Sequence, residues 1–302
     1  MSTGKANIAI IGAGVGAMTA GARLAKAGHT VNFFEASNRA GGKCETIERE
    51  GFRFDTGPTL LTLPAVYRDL FLKTGKRLEL IAKVEGVDPA FQYNFADGKQ
   101  ITFPNLSLNK TVEEISRVLG VEAGLQWRAL MDRAEKMWEI SRTPFVESEL
   151  ASLSKLIATP GFLKDMGVIA PWKSLRKLRS QYSNSPHIGA IIDRYATYSG
   201  SDPRKVPAVL LTIAFIECTF GAWHIDGGIG KLSQLLEERN RELGAEFHFN
   251  TRVQEIIVEN DKAAGIKLES GEFVNADYVI SGSDAENTYH HLISPSNKKT
   301  RS

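Results

Sequence analysis

The feature that most constrains this chain of 302 residues is a glycine-rich turn close to its N-terminus. The run Gly12-Ala13-Gly14-Val15-Gly16-Ala17 matches the pattern G-x-G-x-x-G/A. The apolar segment Ile8-Ala9-Ile10-Ile11 precedes it and predicts a buried parallel strand. Helical spacing of small and apolar residues follows up to Gly28, and Thr30–Phe34 predicts a second strand. The pattern therefore predicts a βαβ unit.

The residue types in this unit indicate a dinucleotide site. Gly12 permits the tight turn, Gly14 lets a pyrophosphate approach the backbone, and Ala17 allows the helix to pack closely on the strand. The helix N-terminus offers N–H groups and a positive dipole end to a phosphate. Glu35, at the end of the second strand, is placed to accept hydrogen bonds from ribose hydroxyls and to repel a 2′-phosphate, which disfavours NADP. The unit is therefore predicted to bind the ADP half of a dinucleotide.

A second loop favours FAD over NAD. In Arg39-Ala40-Gly41-Gly42-Lys43, two flexible glycines are flanked by two cations, which predicts a further phosphate-contacting element. An NAD dehydrogenase does not need such an element directly after its second strand. A basic surface loop is the alternative interpretation.

Composition and the two cysteines exclude several other classes. The chain is 42% hydrophobic and 24% charged with a net charge of +2, a globular profile that gives no support for a nucleic-acid partner. Cys44 and Cys218 are far apart, so they indicate two unpaired thiols in a reducing cytoplasm, without a disulfide framework. His290-His291 lacks partners at ligand spacing, and no metal site is predicted. Neither a signal peptide nor a transmembrane segment is predicted.

The order of patterns along the chain predicts an interrupted domain. Residues 1–85 are α/β, residues 86–220 are mostly helical with one hairpin, and residues 221–292 return to α/β. Residues 293–302 are predicted to form a disordered tail. The fold class expected is a Rossmann-type α/β nucleotide-binding domain with an inserted, mostly helical substrate domain.

Several longer runs resemble one family. Phe34 to Lys43, followed by Gly51 to Thr59, looks like the FAD-dependent amine oxidase and phytoene desaturase superfamily, and the carotenoid desaturase branch fits best. Further runs that are similar to that branch are Asp88 to Phe91, Phe95 to Gly98, Arg194 to Pro203, and Gly221 to His224 leading into Gly227 to Gly230. The matches extend from residue 8 to about residue 292 and cover nearly the whole chain.

The resemblance implies FAD as the cofactor and assigns residues to it. The glycines of the first turn would cradle the pyrophosphate, Glu35 would meet the adenosine ribose, and Val253 would contact the adenine through its backbone. Arg39 to Lys43 would line the FAD channel and Gly57-Pro58-Thr59 would pass near the isoalloxazine, although Val253 could be a strand core residue and Gly57-Pro58 a plain turn. The assigned residues are Gly12, Gly14, Gly16, Ala17, Glu35, Arg39, Gly41, Gly42, Lys43, Gly57, Pro58, Thr59 and Val253.

The resemblance also implies an activity, together with a departure from the family. Family members introduce C=C bonds into a lipophilic polyene by hydride transfer to the flavin, and no residue here maps to a catalytic acid or base. Members continue well beyond the point where this sequence stops, so the chain is expected to lack the C-terminal third and not to turn over phytoene by itself. A non-catalytic FAD-binding fragment and an amine oxidase or retinol saturase-like flavoenzyme stay open as alternatives.

A basic and apolar segment suggests contact with lipid. Residues 155–179 carry six cations against Asp165, interleaved with aliphatic and aromatic residues. Cations beside an apolar face suit an anionic membrane surface, here the inner face of the cell membrane. The implied substrate, a hydrocarbon that dissolves only in lipid, favours this interpretation over a solvated helix face.

Overall fold

The computed structural model describes residues 4–148 and 162–294. The chain divides into two compact units, one formed by Met1–Glu85 with His224–Ser302 and the other by Gly86–Trp223. The strands, numbered in chain order, are β1 Asn7–Ile11, β2 Thr30–Phe34, β3 Thr46–Arg49, β4 Phe52–Asp55, β5 Val84–Gly86, β6 Phe91–Asn94, β7 Gln100–Phe103, β8 Trp223–Ile225, β9 Glu246–His248, β10 Val253–Glu259, β11 Lys262–Leu268, β12 Phe273–Asn275 and β13 Tyr278–Ser281. The helices are α1 Val15–Lys26, α2 Pro64–Thr74, α3 Leu108–Leu119, α4 Val121–Ser141, α5 Phe162–Ile169, α6 Leu175–Arg179, α7 Pro186–Asp193, α8 Leu211–Phe220, α9 Ile229–Glu242 and α10 Ala285–Asn287.

A four-stranded parallel sheet forms the centre of the first unit, with the order β13-β1-β2-β9. Strand β1 is in the interior of this sheet, and four of its five residues are buried, as its continuous apolar sequence predicts. Helix α1 follows the glycine turn and packs closely on β2. The packing is so close at Gly21 that a Cβ there would overlap the ring of Phe33. The predicted βαβ unit is confirmed, and so is the α/β fold class.

A three-stranded antiparallel sheet, β10-β11-β12, belongs to the same unit. Its inward residues form an apolar cluster with Ala9, Ile11 and Phe34 of the parallel sheet. Ile293 is buried in that cluster and forms a bridge with Ile256, so the prediction that the disordered tail includes residue 293 is wrong for Ile293. Residues 295–302, the remainder of the predicted tail, lie outside the described residues.

The second unit is mostly helical. The predicted hairpin is confirmed as β6 and β7, which pair antiparallel. Trp127 of α4 is fully buried and meets the ring of Phe103 edge-on, with 5.3 Å between the centroids. Gly120, with a φ of +98°, separates α3 from α4. Among the residues that the structure describes, no helix is long and apolar enough to cross a membrane.

Candidate cofactor site

The glycine turn has open space beside its backbone. Gly12 has a φ of +83°, which favours glycine, and its N–H donates to the carbonyl of Phe34 at 2.8 Å. Gly14 has an ordinary φ of −74°, and a Cβ at Gly14 or Gly16 would meet nothing within 4 Å. The first N–H groups of α1 have no partner within the helix. The turn therefore combines open space with donors suited to an anion.

A cavity of about 820 Å³ opens at the carboxyl ends of β1 and β2, within the first unit. Its volume is in the range of pockets that hold cofactors and small molecules. Seven of the residues predicted to bind the cofactor line it: Gly12, Gly14, Glu35, Gly41, Gly42, Lys43 and Val253. Three segments distant in sequence thus meet around one space.

The carboxylate of Glu35 is fixed at the rim of this cavity. Its Oε2 accepts the N–H of Ala13 at 2.7 Å and its Oε1 accepts the N–H of Ser37 at 2.8 Å. Each carboxylate oxygen has a further lone pair beyond these bonds. The group is an acceptor only, so it suits hydroxyl donors and disfavours a second anion beside it.

The cofactor loop, defined as residues 39–44, lies against the glycine turn. The N–H of Gly41 donates to the carbonyl of Ala13 at 2.8 Å, and a Cβ on Gly42 would lie 3.3 Å from the Cα of Gly14. Gly41 and Gly42 have φ values of +129° and +58°. Both glycines are therefore needed for backbone conformation and for close approach.

Six of the predicted residues do not line the cavity. Ala17 is buried beneath the turn and packs closely on Gly282, since a Cβ on Gly282 would lie 2.7 Å from the Cβ of Ala17. The guanidinium of Arg39 forms an ion pair with Glu45. Gly57 packs directly against the carbonyl of Lys43, since a Cβ there would overlap it. The remaining members, Gly16, Pro58 and Thr59, are exposed.

Several cavity residues were missed by reasoning from sequence. Cys44 lies in the wall, and burial, together with the negative charge of Asp55, raises the pKa of its thiol, so it stays protonated at neutral pH. His291 is exposed and also lines the cavity. The other missed residues include Arg252, Gln254, Glu269, Gly282, Ser283, Asp284 and Asn287. Gly282, Ser283, Asp284 and Asn287 follow the parallel strand β13, and this position could have indicated them, because ligands bind at the carboxyl ends of parallel strands. Arg252, Gln254 and Glu269 lie at the ends of the antiparallel strands β10 and β11, and no such signal marks them.

The second unit holds a buried ionic network built around Glu217, whose side chain is 1% exposed. Its Oε2 accepts from Arg194 at 2.7 Å and from the hydroxyl of Tyr195 at 2.8 Å, and its Oε1 accepts from Tyr198. Burial raises the pKa of Cys218 to about 12, and the adjacent Glu217 adds to this shift. The run Arg194 to Pro203 therefore begins with a structural ion pair.

Comparison with known proteins also indicates a flavin-binding protein. The sequence profile of the family described as flavin containing amine oxidoreductase matches residues 18–302. The chain belongs to this family. The prediction of FAD as the cofactor is confirmed, as is the recognition of the superfamily from sequence.

Relatives and solved structures agree with this membership. The chain is 28% identical over 298 residues to a 4,4′-diaponeurosporene oxygenase of Staphylococcus haemolyticus, covering 97% of this chain and 58% of that protein. It is 30% identical over 296 residues to a zeta-carotene-forming phytoene desaturase of Myxococcus xanthus, covering 97% and 56%. The fold is similar to an oxidoreductase of Methanosarcina mazei, with a TM-score of 0.64, 19% identity and coverage of 94% and 60%. It is also similar to a triple mutant of putrescine oxidase, with a TM-score of 0.65, 17% identity and coverage of 96% and 60%. The chain thus spans between half and two thirds of the length of these proteins.

Proposed function

We propose that this cavity holds FAD by its ADP half and that the protein acts in the FAD-dependent desaturation of a lipophilic polyene. The observation that carries the proposal is the convergence of the glycine turn, Glu35, the cofactor loop and Val253 on one cavity. Membership of a flavin-containing family supports it, together with relatives named for phytoene and diaponeurosporene.

The residues present fit the two ends of an ADP group. Donors from the start of α1, and open space beside Gly14, suit a pyrophosphate. Glu35 suits ribose hydroxyls, and the buried Val253 provides apolar surface and backbone groups for an adenine. Lys43 contributes a cation at the rim, where it would partly neutralise the phosphates.

The polyene is favoured as substrate by the curated relatives, whereas the similarity to putrescine oxidase is one of fold, at 17% identity. When bound, a flavin supplies two-electron oxidation, which is the chemistry that converts a C–C into a C=C bond. The contribution of this chain is to bind and orient the cofactor. We assign no acid or base, because no described residue is placed by the structure against a reacting carbon.

The proposal is tested on the purified 302-residue chain by the spectrum of its bound nucleotide. A flavin absorption spectrum, and FAD released on denaturation, are expected; release of NAD would contradict the proposal. Addition of phytoene in micelles should then perturb the flavin spectrum, whereas putrescine should not. A response to putrescine alone would indicate an amine oxidase. Coloured product from this chain would overturn the expectation that it does not turn over phytoene by itself.

We further propose peripheral contact with an anionic membrane through the part of residues 155–179 that the structure describes, residues 162–179. Trp172 is 67% exposed, and Lys177, which follows it five positions later in the chain, is also exposed. Two of the cations, Arg176 and Arg179, are engaged by Asp193, with N–O distances of 2.7 and 3.8 Å. The earlier portion of the predicted segment, residues 155–161, lies outside the described residues. The contribution of Arg176 and Arg179 to membrane attraction is therefore reduced.

Changing Trp172 to Ala together with Lys177 to Gln should weaken binding to anionic liposomes. Loss of one cation near such a surface costs roughly 1 kcal/mol, or about fivefold in affinity, and loss of the indole adds to it. Flotation with anionic and neutral vesicles measures this, and Lys262→Gln, an exposed lysine of the other unit, is the matched control. Equal binding to both vesicle types would remove the electrostatic argument.

A further inference from the structure

A short antiparallel ribbon connects the cofactor loop to helix α9. Strand β3 starts two residues after Cys44, and its partner β4 ends at Asp55. The pairing continues past these strands, since the N–H of Thr56 donates to the carbonyl of Glu45 at 2.9 Å. One end of the ribbon is therefore the end of the cofactor loop.

Asp55 attaches this end of the ribbon to the start of α9. Both of its carboxylate oxygens lie within hydrogen-bond distance of the N–H of Ile229, at 3.1 and 3.2 Å. Thr46 donates its hydroxyl to Asp55 at 2.5 Å and accepts the N–H of Gly230 at 3.0 Å. Two side chains thus satisfy two N–H groups of the first turn, which otherwise have no partner within the helix.

The glycines before and within this turn permit the close approach. A Cβ on Gly228 would lie 2.6 Å from the carboxylate of Asp55, and one on Gly230 would lie 2.7 Å from the backbone nitrogen of Thr46. These distances are too short for any other residue without displacement of the ribbon. Gly228 and Gly230 are therefore explained by packing against Thr46 and Asp55, whereas Gly227 is explained by its φ of +94°.

A third contact joins α9 to the cofactor loop itself. Ser233, which is 3% exposed, donates its hydroxyl to the carbonyl of Cys44 at 2.6 Å. Its side chain also lies 3.3 Å from the place a Cβ on Gly41 would occupy. Helix α9 thus holds the same loop whose other side lies on Gly14.

From these contacts we propose that Asp55 is a positioning residue for the cofactor loop, acting with Thr46 and Ser233 through α9. The inference rests on the proposed binding of FAD in this cavity. Without the bonds from α9, residues 39–44 would still be tied to the turn by the N–H of Gly41 and would lose their fixed position at Cys44. The loop would then be less well ordered before the cofactor binds. The free energy needed to order it on binding would lower the affinity for FAD.

The test compares the FAD dissociation constants of variants of the full chain, measured by flavin fluorescence below their unfolding temperatures. Asp55→Ala should weaken FAD binding about tenfold, because a helix cap is lost with the loop contact. Asp55→Asn keeps an acceptor for the helix N–H groups and should restore affinity to within about threefold of the wild type. If Asp55→Asn bound FAD as weakly as Asp55→Ala does, the capping role of Asp55 would be overturned.

Two further variants separate positioning from general stability. Ser233→Ala removes only the bond to Cys44 and should weaken binding about fivefold, so it carries the test if Asp55→Ala does not fold. Asp277→Ala is the matched control, since Asp277 accepts a backbone N–H of Asn7 at 2.7 Å at the opposite end of β1. The FAD affinity of this control should be unchanged. A loss of affinity as large as that of Asp55→Ala would overturn the inference. If the wild type binds no FAD, the proposed function fails. If the wild type binds FAD and both Asp55→Ala and Ser233→Ala bind it equally well, the inference fails and the proposed function stands.

Discussion

Replacing Gly14 with leucine should abolish FAD binding while leaving the protein folded. The φ of Gly14 is one that leucine adopts, and the space beside its Cα is open, so the substitution introduces no strain. The new side chain would instead extend into the cavity, at the place where the turn presents its N–H groups to a phosphate. Exclusion of the pyrophosphate should raise the dissociation constant by more than about a hundredfold.

The measurement is fluorescence titration with FAD, with the unfolding temperature as the check on folding. Gly167→Leu is a matched control, because a Cβ at Gly167 also meets nothing within 4 Å and this glycine belongs to the other unit. The control should bind FAD as the wild type does. Normal affinity in the Gly14 variant would show that the dinucleotide does not approach this turn.

Removal of the Glu217 carboxylate should destabilise the second unit severely. In Glu217→Ala the guanidinium of Arg194, which is 30% exposed, would lose its carboxylate partner, and the hydroxyls of Tyr195 and Tyr198 would lose their acceptor. Breaking a buried pair by deleting one member typically costs 3–5 kcal/mol, since an uncompensated charge remains. A comparable fall in the free energy of unfolding, measured with urea, is expected.

Two comparisons identify the unpaired charge as the cause. Arg117→Ala removes the 68% exposed cation of an i,i+3 pair with Glu114 in the same unit and should cost less than about 1 kcal/mol. The double change Arg194→Met with Glu217→Leu replaces the pair by apolar groups and should be less destabilising than Glu217→Ala alone. If the double variant were the least stable of the three, the network would contribute more to the free energy of unfolding than the unpaired charge of Arg194 explains.

The sequence was sufficient for elements whose signals are local. The turn at Gly12, the strand before it and the hairpin β6–β7 each depend on residues within about a dozen positions of one another, and periodicity and turn residues indicate them directly. Gly41 and Gly42 were likewise found from local composition, and the structure places both in the cavity wall. The ribbon β3–β4 was not predicted, because each strand has only four residues and Thr46-Ile47-Glu48-Arg49 does not alternate, although Phe52-Arg53-Phe54-Asp55 does.

The sequence by itself determined the βαβ unit and, through its runs of family residues, the flavin and the fold. Only the tertiary structure decided which side chains act together over long separations. Glu217 meets Arg194 across 23 positions, and Asp55 meets the N-terminus of α9 across 174. His291 reaches the cavity of Gly14 from near the end of the described residues. Such contacts leave no periodic pattern in the chain, because a single hydrogen bond or ion pair depends on how whole elements pack and not on the residues beside it in sequence.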